Sequence, residues 1–246
     1  MQIYKYYDNM LIVSKKRHSD EITYISKQVI YSTSSSMYMV REIVKGLNDD
    51  QVKAVESIGF GSILHFNQFD INMELLSWLI ERFDASKKTL NVHGYNLEIT
   101  PRDVEYILGL KSHGMQLMVS THGVDQKIER ELNINVIGNQ VGLANLGRNI
   151  QQLDSSGAEF KVKFVLYLIG RLLAPLIGYG ISRTLIRAVA KAELLEMINW
   201  SKSVLDEMAN GIANRVEKPF PEVGGCMVFL RVGQISCLKV GVACTF

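Results

Sequence analysis

Proline is scarce, with four residues in a chain of 246. Together with long stretches of Leu, Ile, Val and Met at helical spacing, that scarcity argues against a many-turned all-β fold. Cysteine is scarcer still. Cys226, Cys237 and Cys244 are odd in number and all lie beyond residue 225, which excludes the framework of a small secreted disulfide protein and fits a reducing compartment. A surplus of one charge is also missing: 27 Lys and Arg stand against 25 Asp and Glu, so no domain-wide field argues for nucleic acid or an anionic membrane. Met1 to Met10 is rich in Tyr and has no basic flank leading into an apolar run, so no secretory leader is expected. The stretch from Phe164 to Ile181 imitates a membrane span, but Arg171, Pro175 and three glycines interrupt it. It reads as a buried core helix that stops at Pro175. What is abundant is hydrophobic side chain, 47% of the residues, enough for a sizeable core. The expectation is a soluble, intracellular, mainly α-helical protein.

Along the chain, residues 1–45 read as a flexible or ill-defined arm, with Lys15, Lys16 and Arg17 ahead of the serine tract 32–36. Those three cations suit a nuclear address or a phosphate contact, though three adjacent charges are more often a solvated surface. Order is expected from Leu47. Asn48 and Gln51 have the spacing of a capping box, the helix runs to Ile58, and Gly59 is a left-handed stop. Gly59-Phe60-Gly61 lacks the further glycines and the Lys of a phosphate loop, so it is a turn with Phe60 filling the corner. Leu75, Leu76, Leu79, Ile80 and Phe83 repeat at helical spacing. Two alternating segments, Thr89–Val92 and Leu97–Thr100, predict a small β-hairpin around His93-Gly94. Thr100-Pro101-Arg102-Asp103 opens a further helix that Gly109 ends. Asn199 is placed to cap a last helix whose stripe is Trp200, Val204, Leu205, Met208, Ile212 and Val216. That stripe serves either the chain's own core or a partner.

These blocks, in this order, resemble the plant mobile domain. The resemblance rests on Ile58-Gly59-Phe60-Gly61, Trp78-Leu79, Phe83-Asp84, Ile99-Thr100, Asp103-Val104 and Ile107-Leu108-Gly109-Leu110. In the second half it rests on Phe164-Val165-Leu166 with Pro175, Asn199-Trp200, Val204-Leu205-Asp206, Gly211-Ile212 and Gly224-Gly225-Cys226 with Phe229-Leu230. It covers residues 46–231, with Lys111 standing where the family usually has proline, and leaves 232–246 as an atypical tail, as expected of a domain cut short at its C-terminal end. The family is transposon-derived, is often labelled aminotransferase-like, and includes the maintenance-of-meristems proteins. The resemblance implies a non-enzymatic nuclear module that meets protein partners and serves meristem maintenance and genome or silencing maintenance in plants.

A pyridoxal phosphate enzyme needs a Schiff-base lysine, a phosphate cup and an acidic partner for the ring nitrogen; Lys161, Lys163, Lys191 and Lys202 read instead as helix-surface residues. No cofactor and no small-molecule substrate are expected. His18, His65, His93, His113 and His122 have no helix-borne metal spacing, and Cys226, after two glycines in an apolar segment, reads as a small buried residue. No catalytic residue is assigned, and no protease domain follows as it does in some fusions of the family. One alternative stays open. Arg183, Arg187 and Lys191 have four-residue spacing and would form one basic helix face for nucleic-acid phosphates.

Overall fold

The computed structural model describes residues 5–7, 10–12, 36–66, 73–92, 94–119, 126–175, 180–215 and 225–230. Near the N-terminus β1 (Lys5–Tyr7) and β2 (Met10–Ile12) pair antiparallel. Residues 36–45 form helix α1, whose Met37, Val40 and Ile43 are buried because a spacing of three keeps them on one face. Folded structure thus begins before residue 46, which corrects the boundary drawn from sequence. The stripe is too short, set between a serine tract and Lys45, to declare a period.

Helix α2 (Asp49–Ser57) starts as its sequence dictates. The Gln51 N–H donates to Asn48 Oδ1 at 2.9 Å and the Asn48 N–H to Gln51 Oε1 at 3.1 Å, satisfying two donors that a helix start leaves unpaired. Gly59 follows with φ +84°. The chain then makes one 3-10 turn, Gly61–His65, and Phe60 fills the corner, fully buried with its ring 5.1 Å from that of Trp200. Helix α3 (Met73–Arg82) buries Leu75, Leu76, Leu79 and Ile80.

Phe83, expected on that helix, instead opens β3 (Phe83–Asp84), which pairs antiparallel with β4 (Thr89–Val92); β4 in turn pairs with β5 (Tyr95–Glu98). The expected hairpin is therefore the centre and one edge of a three-stranded sheet in which Phe83, Leu90 and Leu97 stand in register. Its second strand begins two residues earlier than expected, because Val92 pairs directly with Tyr95 across a two-residue turn. Helix α4 (Pro101–Leu108) carries Pro at its first position; the Asp103 carboxylate accepts from the Thr100 N–H and hydroxyl, both at 2.7 Å, and Gly109 ends it with φ +66°.

Helices α5 (Gln126–Glu131), α6 (Leu143–Gln151) and α7 (Ala158–Leu168) follow. Phe160 and every residue from Val162 to Leu168 are buried on α7, as befits a helix apolar nearly all round. It is the central element, with α2, α6 and α8 (Arg183–Val189) packed against it. Its last turn widens to a π-turn over Ile169–Leu173, closed by the Ala174 N–H donating to Ile169 O, and the helical run ends before Pro175 as expected. No helix among the described residues is long and apolar enough to cross a membrane. Strands β6 (Gln140–Gly142) and β7 (Gly180–Ser182), which sequence periodicity did not suggest, pair antiparallel beside this core. A 3-10 helix, Ala192–Met197, leads into α9 (Trp200–Arg215), which packs on α4. Trp200, Val204, Leu205, Met208 and Ile212 are all buried, so the stripe serves the chain's own core; Val216 lies outside the described residues.

Candidate interaction surface

The three basic residues singled out from spacing do not share one face. Helix α8 ends at Val189, so Lys191 lies beyond it, at the start of the next 3-10 helix, and is exposed. Arg183 is turned inward. Its Nε lies 2.5 Å from Glu129 Oε1 and its Nη2 donates to Glu129 Oε2 at 3.1 Å, with both side chains largely buried. One charge-assisted hydrogen bond with close ionic contact holds both partners together and takes the cation away from an external phosphate. Arg187 is half-buried.

A different surface stands out. The segment after α4 lies along the end of the 197–201 stretch and is held there by backbone groups. The Met115 N–H donates to Met197 O at 2.7 Å and the Asn199 N–H to Met115 O at 2.8 Å. Asn199 Nδ2 reaches Ser112 O at 2.7 Å while its Oδ1 caps α9 by accepting from the Lys202 N–H at 2.9 Å. Ser201 adds its N–H to Lys111 O and its hydroxyl to Leu110 O. The approach is so close that a Cβ on Gly114, at φ +117°, would stand 2.2 Å from Met197 O, so only glycine fits. Met115 and Met197, joined by this scaffold, are exposed by 47% and 55%, and Met118 and Val119, further along the same segment, by 75% and 50%. Methionine is flexible and polarisable, a side chain suited to binding surfaces that adapt to a partner, and neighbouring exposed apolar side chains such as Met115 and Met197 are the kind of feature that marks an interaction site.

A family model described as a domain of unknown function, DUF8566, matches residues 33–231. The chain belongs to the DUF8566 family. The matched range takes in α1 as well as the region from residue 46. This DUF8566 chain is also similar to Protein MAIN-LIKE 1 of Arabidopsis thaliana, 23% identical over 211 residues that cover 79% of the chain and 42% of the relative; it thus spans less than half of that protein. No solved structure matches it.

The other polar groups of this DUF8566 domain do not converge on one metal site among the described residues. Cys226 is fully buried, and burial pushes its thiol up to about 12, as befits the packing role read from its sequence context. Cys237, Cys244, His18, His93 and His122 lie outside the described residues; His65 and His113 are exposed. Among the described residues no three His, Cys, Asp or Glu side chains are grouped to hold a metal ion. A cleft of about 390 Å³ lies between α1 and the 61–66 turn, with Val40, Val44, Ile63 and Leu172 in its walls beside Arg41, Lys45 and His65; no carboxylate lines it. Lys163 departs from its expected place. It is 1% exposed on α7 and bonded to Glu159 at 2.6 Å, because from Val162 onward every residue of α7 is buried. The methionine surface escaped the sequence reading because residues 115–119 carry no helical or strand period; the only sequence signal was apolar residues where no element is expected.

Proposed function

We propose that this chain is a non-enzymatic protein-interaction module of the plant mobile domain type, acting in the nucleus on protein partners in the maintenance of meristems and of the genome or its silencing. The observation that carries the interaction reading is that Met115 and Met197, joined by backbone hydrogen bonds, both face solvent, with Met118 exposed three residues further on. The order of sequence blocks and the similarity to MAIN-LIKE 1 support the plant mobile domain type, and from that type come the nuclear setting and the maintenance roles. The inward pairing of Arg183 with Glu129 weighs against phosphate binding by α8. The test places a photo-crosslinking amino acid at position 118, 197 or, as control, 53 on the exposed face of α2. The same plant nuclear protein should be captured from 118 and 197 and not from 53. Salt-sensitive binding of duplex DNA that is lost when Arg183, Arg187 and Lys191 are replaced together would overturn the proposal in favour of nucleic acid.

A further inference from the structure

A second surface lies on α6. From Asn133 to Gln152 the chain carries eight Asn and Gln and one charged side chain, Arg148. Folding gathers five of these residues. Asn145, Arg148, Asn149 and Gln152 follow one another at the spacing of a single helix face, while Leu143, Leu146, Gly147 and Ile150 bury the opposite face of α6. Asn135, from the loop after α5, completes the lining of a shallow cleft of about 280 Å³. No aliphatic, aromatic or acidic side chain lines it.

Each carboxamide offers a carbonyl acceptor and two N–H donors, the same two kinds of group that a peptide bond presents. Arg148 brings the only charge. Its Nη2 donates to Asn145 Oδ1, which orients the guanidinium, and none of the ion pairs among the described residues includes it. We propose that this cleft binds an extended, acidic peptide segment of a partner protein: the carboxamides of Asn135, Asn149 and Gln152 take its main chain, and Arg148 pairs with one Asp or Glu side chain. The inference rests on the interaction reading above and gives a partner its chemistry. Nucleic acid fits less well. Duplex binding draws on several cations along the backbone, where this cleft has one, and unstacked bases need aromatic platforms, where it has none.

The experiment uses the full chain, isotope-labelled, with the side-chain NH2 resonances of Asn135, Asn145, Asn149 and Gln152 as reporters. The probe is a short acetylated and amidated Gly-Ser peptide with one central aspartate, and a duplex DNA is titrated separately. The aspartate peptide should shift these four resonances, and either Arg148→Gln in the protein or asparagine for aspartate in the peptide should weaken binding about tenfold or more, as expected for loss of a charge-assisted pair. Arg148 is exposed, so the variant keeps its fold, and an unchanged backbone spectrum checks this. No shift at millimolar peptide, a shift insensitive to Arg148→Gln, or a response to DNA and not to peptide would each overturn the proposal. Crosslinking from positions 118 and 197 reads a separate surface, so loss of the cleft leaves the interaction reading standing if that crosslinking succeeds.

Discussion

Lys163 and Glu159 form an ion pair with unequal surroundings: the lysine side chain is 1% exposed and the glutamate 31%. Removing the carboxylate strands a buried cation, whereas removing the cation leaves a carboxylate that water can reach. Glu159→Ala is therefore expected to destabilise the chain by about 3 kcal/mol, while Lys163→Met, of similar length and apolar, should be close to neutral. Urea unfolding of the two variants reads the asymmetry, and equal losses would refute it. Cys226 yields a second expectation at this scale. With its thiol pushed up to about 12 by burial, it carries almost no thiolate at neutral pH. In a chain with Cys237→Ser and Cys244→Ser, a thiol reagent should label Cys226 only on unfolding. Burial of Cys226 was legible from its two preceding glycines and apolar neighbours. Burial of Lys163 was not, since i, i+4 spacing from Glu159 looks the same on a solvated helix and on a central one.

Among the elements, helix starts and stops were read most fully, because capping is local chemistry between residues three apart. Asn48 with Gln51 and Thr100 with Asp103 make the hydrogen bonds that their spacing implies, and Gly59 and Gly109 take positive φ where the helices end. Strands were read less well. Phe83–Asp84, Gln140–Gly142 and Gly180–Ser182 have two or three residues each, too few for alternation to show, and the last two exist because a partner distant in sequence supplies the ladder. The 110–115 segment belongs with them: its place is fixed by bonds to residues 197–201. Gly114→Ala sets a Cβ against Met197 O in a left-handed conformation and should cost about 2 kcal/mol or more. It should also raise amide exchange at Met115 and Asn199 ahead of α3, whereas uniform exchange changes would count against a local scaffold.

At the scale of the whole molecule, Asp206 ties the sheet to the last helix. It accepts from Lys88 in the turn before β4 and from Lys202 Nζ at 2.6 Å on α9. Burial raises its carboxyl, but the hydrogen bonds from Lys202 and Lys88 outweigh burial and hold it below its ordinary value of 3.8. A carboxylate lowered on folding contributes stability that is present above its unfolded value and lost as pH falls through the lowered folded value. Asp206→Asn should thus cost about 1 kcal/mol near neutral pH, the network being partly exposed, and the gap to the parent chain should close below the ordinary carboxylate range. Urea unfolding across that acid range measures it; a gap that stays constant would show that Asp206 is not paired as described.

The sequence by itself determined that this is a mainly α-helical chain, where several helices begin and end, and where apolar stripes run along them. Each of these is settled by residues within a few positions of one another. Tertiary structure alone decided that Arg183 turns to Glu129, that Lys163 is buried, and that Met115 and Met197 come together at the surface. Glu129 is 54 residues from Arg183, so no local period records the pairing. The partners of a side chain at such separation depend on how whole helices pack, and packing around α7 is a property of the assembled core.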